Sequence, residues 1–424
     1  MTVALFALLA LGVLSSAPGT TQEAGAPRPN VILILSDDQG TVDLGACGTA
    51  DVVTPNLDAL AARGVRFTRF YAASAICSPS RAGLLTGRYP QRAGVPGNVW
   101  PGGPGLRGEE TTIAEVFLDA GYATALFGKW HLGDRDGERP NDQGFERFFG
   151  HRKGCIDNWS HYFYWGGANR HDLWRDDAEV WEEGTHFGDL VAREATAFLR
   201  ERAAADDGRP FFLYLPFNSP HYPLQAKAEW RARFAGMEGP RADYLAMLAT
   251  MDEQIGRVLD ELDALGLRQE TIVAFQSDHG HSTEERAFGG GGSAGPYRGA
   301  KFSLFEGGIR VPAILSWPGR VPEGRVDDLV DGHATDWLPT LCELAGIPAP
   351  EDLDGRSLVE AWRPPRVLLW PRTQYWQMGD PWAVRCGNVK LIANPPATDR
   401  RPPAAGDALS LAALAADPAP VPPP

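Results

Sequence analysis

The sequence predicts an α/β fold, in which a mostly parallel sheet is sandwiched by helices and followed by a small C-terminal antiparallel subdomain. Three observations predict it. Four runs of β-forming apolar residues lack polar alternation, as strands buried on both faces require. Amphipathic helical stretches lie between those runs, the alternation that builds parallel sheets. Beyond Pro364-Pro365 the pattern changes to a stretch that reads as a hairpin.

Taken in order, residues 3–14 are an apolar stretch too short to span a bilayer, followed by the small residues Ser15, Ser16 and Ala17. With residues up to 25 they read as a cleaved secretory signal and short linker, implying an exported protein, periplasmic or extracellular. The main domain is expected over 26–363. Residues 31–35 form the first buried strand and end abruptly in Ser36-Asp37-Asp38-Gln39-Gly40. A short helix over 55–63, closed by Gly64, follows. Residues 121–127 read as a second strand running into Gly128-Lys129-Trp130-His131, and 211–215 as a third running into Asn218-Ser219-Pro220-His221. Residues 271–275 are a fourth, running into Gln276-Ser277-Asp278-His279-Gly280. Helices are expected over 189–202, 243–265 and 335–345, the last stopped by Gly346 and Pro348. Residues 383–392 read as a hairpin around Gly387-Asn388 within a small subdomain over 364–398. The Ala- and Pro-rich residues 399–424 read as a disordered tail.

Composition narrows the function. A chain of 424 residues with 43% hydrophobic and 22% charged residues can bury a large core. Its net charge of −14 gives no electrostatic footprint for nucleic acid. A pocket of Arg, Lys and metal can still receive an anion, because local charge overrides the global sign. No later stretch is apolar enough for a membrane span. Five scattered cysteines make no disulfide framework, and their odd number leaves at least one unpaired; Cys77 is the candidate.

In open parallel sheets, ligands bind beyond the carboxyl ends of the strands. Here all four strand ends deliver acidic, basic or histidine side chains. Asp37 and Asp38 are adjacent carboxylates that repel unless a proton or cation separates them. With Asp278 they make a cage for a hard divalent cation, Ca²⁺ before Mg²⁺, with His279 as a softer fourth donor. Lys129 and His131 are two residues apart, so on an extended segment both face one way, one neutralising an oxyanion and the other moving a proton. His221, between Pro220 and Pro223, is a second acid–base candidate. Lys301 follows the run Gly289–Gly292, which reads as a flexible loop or a mobile lid.

Cys77-Ser78-Pro79-Ser80-Arg81 places a cysteine at the start of a helix, where N–H groups and the dipole favour negative charge. Arg81, one turn on, offers a fork for an oxyanion. Taken alone, the stretch reads equally as a small buried cysteine before an ordinary helix. The convergence of the strand ends favours a nucleophile. His151, His161, His171 and His186 lie in and around the aromatic-rich residues 155–181, which read as a substrate-selecting cover and not a metal cluster. Trp159, Tyr162, Tyr164, Trp165, Trp174 and Trp181 in it could stack on sugar faces or simply pack.

Cys77-Ser78-Pro79-Ser80-Arg81, with Leu85-Thr86-Gly87-Arg88, resembles the signature of the type I sulfatases, in which the cysteine is oxidised to formylglycine after synthesis. Gly121-Tyr122 through Gly128-Lys129-Trp130-His131 is similar to that family's second signature. The order of Asp37-Asp38, His221, Asp278-His279 and Lys301 also matches, so the resemblance covers about residues 28–392. It implies an alkaline-phosphatase-like fold and hydrolysis of sulfate monoesters. It further implies Ca²⁺ held by Asp37, Asp38, Asp278 and His279 and touching the modified Cys77. Arg81 and Lys129 would neutralise sulfate oxygens, His221 with Lys301 would protonate the leaving alcohol, and His131 would take up a proton. A formylglycine-generating enzyme would be a partner during maturation. His279 stands where many members carry Asn, and the C-terminal subdomain is short. A sulfated carbohydrate is the expected substrate. The alternatives are a phosphodiester or phosphonate monoester hydrolase, which shares this signature, and a non-catalytic glycan-binding protein with unmodified Cys77.

Overall fold

Residues 28–164, 168–362, 372–395 and 409–410 are described by the computed structural model. The four expected strands are all present, as Asn30–Ser36, Ala123–Lys129, Phe211–Pro216 and Thr271–Ser277. They are the parallel centre of a ten-stranded sheet. Asn30–Ser36 pairs with Phe211–Pro216 on one side and Thr271–Ser277 on the other, and Ala123–Lys129 lies beyond Phe211–Pro216. Arg147–His151 extends the parallel set, and Ala313–Ser316 adds an antiparallel strand beyond Thr271–Ser277.

The apolar run 31–35 has no polar alternation because both of its faces are covered. Val31, Leu33 and Leu35 face one core, shared with Leu84 and Leu85 and with Trp337, Leu338 and Leu341. Ile32 and Ile34 face the other, shared with Leu190, Phe198, Leu248 and Ile255. Each buried aliphatic side chain contributes roughly 1.5–3 kcal/mol of transfer free energy. The helices supplying those partners are Cys77–Thr86 and Trp337–Ala345 on one side, and Phe187–Ala204 and Pro240–Ala264 on the other. The first of the expected helices is Pro55–Ala62.

The hairpin around Gly387-Asn388 is formed by Trp382–Cys386 and Val389–Ala393, joined by Thr373–Gln377. Leu409–Ser410 pairs with Val389–Ala393 as a fourth strand. Trp376 fastens this sheet to the main body by donating from Nε1 to Ala72 O at 2.8 Å. The expected signal sequence and most of the tail lie outside the described residues, as does Trp165. Among the described residues, no helix is long and apolar enough to cross a membrane. All five cysteines are unpaired.

Candidate active site

The carboxyl ends of the central strands are stitched together before any side chain is considered. Asp37 N donates to Ser219 O at 3.0 Å and Asp278 N to Ser36 O at 2.9 Å. These bonds bring three loops to one point. Asp38 then leaves the strand direction, with φ at 62°, and its N–H donates to Asp278 Oδ1 at 3.2 Å. That turn lets consecutive aspartates serve one site, where an extended backbone would point them apart.

Cys77 is the first residue of its helix and Arg81 lies one turn on; all ten residues of the helix are buried. Ser80 Oγ ties the first turn to Asp278 O at 2.5 Å. Arg81 Nη2 reaches Asp278 Oδ2 at 3.0 Å and Asp37 Oδ1 at 3.5 Å. Lys129 Nζ lies 2.5 Å from Asp37 Oδ2, and Lys301 Nζ lies 3.0 Å from Asp38. His221 Nε2 lies 3.7 Å from Asp38 Oδ2. The structure thus brings Asp37, Asp38, Arg81, Lys129, His221, Asp278 and Lys301 together. His131 arrives by a different route from the one expected. The strand ends at Lys129 and His131 has φ at 58°, so the two do not alternate along one extended segment. Its imidazole nevertheless lines the same cleft as Cys77.

His279 tests whether a cation fits. Its Nδ1 lies 2.9 Å from Gly280 O, so Nδ1 carries the proton and donates. Nε2 faces Cys77 Sγ at 3.3 Å, Asp38 Oδ1 at 3.4 Å and Asp278 Oδ1 at 3.6 Å, so without a proton or a cation there its lone pair would meet only acceptors. Acceptors facing acceptors in a buried site need a positive charge between them. Asp37, Cys77, Asp278 and His279 supply ligand atoms that converge on this space, and Asp37, Asp38, Cys77 and His221 form a second, overlapping group. Each group pairs two hard carboxylates with a softer cysteine sulfur and histidine nitrogen.

Electrostatics separate the roles of the side chains. Burial alone would raise the Cys77 thiol, but Lys129, Lys301 and His279 outweigh it and hold the group well below its ordinary value, as an anion. Cys155 provides the contrast: burial lifts it to about 11 and it remains a thiol. Burial pulls His131 down to about 4, against the pull of Cys77, so it is neutral and able to accept a proton. Burial also lowers His279, but Asp278 and Cys77 prevail and raise it to about 9, the response of a histidine filling in for a cation.

The cleft above this floor is lined by His131, His221 and Lys301 together with Trp100, Phe163, Tyr222 and Arg286. The last four, and Asn98, were not nominated from the sequence. Asn98 fixes the helix start by accepting from Ser78 N at 3.1 Å. Arg286 follows a strand end closely in sequence, a signal that its position alone could have given. Within the glycine run before Lys301, a Cβ on Gly290 would meet Ser282 O at 1.8 Å and one on Gly291 would meet Pro240 O at 2.5 Å, while Gly289 has open space around it. In the cover, His161, His171 and His186 bond Thr185 O, Glu179 and Gln225 O respectively.

A buried anionic cysteine among carboxylates, with fixed cations and a neutral histidine, is a constellation suited to hydrolysing esters of an oxyanion. Residues 29–347 match the sulfatase family model. The chain is 38% identical over 395 residues to arylsulfatase A of Homo sapiens, covering 87% of this chain and 75% of that one. It is 36% identical over 366 residues to N-acetylgalactosamine-6-sulfatase of Canis lupus familiaris, covering 80% and 67%. The structure of Ps i-CgsB in complex with k-i-k-neocarrahexaose superposes with a TM-score of 0.79 at 32% identity, covering 86% of this chain and 84% of that one. The phosphonate monoester hydrolase of Agrobacterium radiobacter, at TM-score 0.60 and 24% identity over 86% and 87%, shares the fold. The chain belongs to the sulfatase family, in the alkaline phosphatase superfamily, and is a sulfuric ester hydrolase.

Proposed function

We propose that this protein is exported and releases inorganic sulfate from a sulfated carbohydrate, using formylglycine formed from Cys77 and a bound Ca²⁺. One observation carries the reading: Cys77 Sγ faces the cation donors, at 3.3 Å from His279 Nε2 and 3.9 Å from Asp37 Oδ1, while basic side chains close in around it. Asp37, Asp38, Asp278 and His279 would hold the ion, with position 77 as a further ligand. Formylglycine supplies a geminal diol able to eject sulfate, which a plain thiol cannot do, and Ca²⁺ supplies charge to balance the oxyanion.

The chain's own residues do the rest. Arg81 and Lys129, both held by Asp37, present fixed positive charge to the sulfate oxygens. His221 and Lys301 share the Asp38 carboxylate on the cleft side and protonate the leaving alcohol. Neutral His131 takes up a proton at position 77. The carbohydrate assignment is supported by the aromatic walls of the cleft, Trp100, Phe163 and Tyr222, and by the oligosaccharide bound to Ps i-CgsB.

The test is co-expression with a formylglycine-generating enzyme, mass spectrometry of the peptide containing residue 77, and assay of sulfate release from an aryl sulfate and from sulfated oligosaccharides. Sulfate release from both is expected. No release with the aldehyde confirmed overturns the reading. Phosphoester turnover exceeding sulfate turnover by orders of magnitude would assign the phosphonate or phosphodiester chemistry instead. An unmodified Cys77 in protein from the native host would assign a non-catalytic binding role. N-terminal sequencing of that same material tests removal of residues 1–25.

A further inference from the structure

The geometry points to Glu284 as a positioning residue for Lys301, clamping that ammonium in the cleft independently of the cation cage. This rests on the proposed proton delivery by Lys301.

Lys301 Nζ lies between two carboxylates, Asp38 at 3.0 Å and Glu284 Oε2 at 3.4 Å. Asp38 belongs to the cation cage, and a carboxylate that binds a divalent ion has less negative charge to share with an ammonium. Glu284 stands outside both candidate ligand groups, so its grip on Lys301 survives metal loading. A four-carbon side chain with three rotatable donors needs such a second anchor to hold one direction.

Glu284 is itself held from several sides. Ser282 Oγ donates to its Oε2 at 3.1 Å, and Arg286 Nε donates to its Oε1 at 2.6 Å. The backbone N–H of Glu284 is bonded to Ser282 Oγ at 3.2 Å. The Arg286 guanidinium lies over the Tyr222 ring, 4.8 Å from its centroid, and Lys301 Nζ lies 5.7 Å from the same centroid. The Tyr222 ring in turn packs on His221, with centroids 4.0 Å apart. Glu284, Arg286 and Tyr222 therefore form one brace behind both members of the proposed proton-donating pair. Backbone bonding sets its base, since Lys301 N donates to His281 O at 2.8 Å.

A misplaced proton donor harms a reaction most when the leaving oxygen is strongly basic, and least when it departs as a stable anion. The experiment compares wild type, E284Q and R286Q, all carrying the aldehyde at position 77, on 4-nitrophenyl sulfate and on the less acidic 4-methoxyphenyl sulfate. E284Q is expected to lose about 30-fold in kcat on the methoxyphenyl ester but only about threefold on the nitrophenyl ester. R286Q should lose in the same direction by a smaller factor, because it loosens the clamp without removing it. Melting temperatures near wild type establish that the fold is intact. Equal losses on the two esters, or no loss on either, overturn the inference. Wild type inactive on both esters would overturn the proposed function itself, a result separable from the others because no variant is needed to see it.

Discussion

At the floor of the cleft the charged groups find partners within the cluster, whereas on its outer side aromatic rings stand partly in solvent. Asp37, Arg81, Lys129, Asp278 and His279 have no solvent exposure. Trp100, on the cleft wall, and Trp181, in the cover, are each 59% exposed. Trp181 lies flat on His171, with ring centroids 3.8 Å apart and planes 7° from parallel, leaving its outer face to solvent. The floor is a closed electrostatic circuit in which removing one member leaves another buried charge unpaired. The walls are a set of loosely coupled surfaces. Chemistry and selectivity therefore have different tolerances to change.

The sharpest way to break this comparison is at the floor. C77A should lower sulfate release by about 10⁴-fold or more, measured as inorganic sulfate from an aryl ester. D278N should lower it by about 10²–10³-fold. Added Ca²⁺ should raise the melting temperature of the wild type, since an ion bound only to the folded state stabilises it, and the same substitution should abolish that rise. If D278N keeps that rise, the cage has been placed wrongly.

A third prediction concerns a seam away from the floor. His333 is fully buried between Tyr89 and Trp376, with ring centroids 5.5 and 5.7 Å away. Burial, aided by Arg372, holds it well below its ordinary value. The unfolded chain takes up the proton first, so stability is full above about pH 6.5 and is lost as pH falls below it. Urea midpoints at neutral and mildly acidic pH should show H333Q losing less on acidification than wild type. The smallest effect belongs to the cover: W181A should raise KM for a sulfated oligosaccharide about fivefold while shifting an aryl sulfate by less than twofold. A comparable loss on both substrates would show that floor and cover are coupled.

The floor was legible in the sequence because strand ends are. Unbroken apolar runs name the buried strands, and whatever follows them in sequence must gather at one edge of the sheet. Asp37, Lys129, His221 and Asp278 were found that way. His131 was found for an incomplete reason, since its backbone turns left-handed just past the strand and does not continue the alternation. The brace was not legible. Glu284, Arg286 and Tyr222 come from two loops about 60 residues apart, joined only by side-chain contacts that no periodicity encodes. The glycine run hid a further reason for its composition: at Gly290 and Gly291 close backbone approach leaves no room for a Cβ.

The bonds from Asp37 N to Ser219 O and from Asp278 N to Ser36 O make the cation donors an extension of the central ladder. Such a site has no soft hinge through which it could melt ahead of the sheet. Heat inactivation and loss of sheet structure should consequently be one cooperative event, with slow amide exchange at the strand ends persisting until global unfolding.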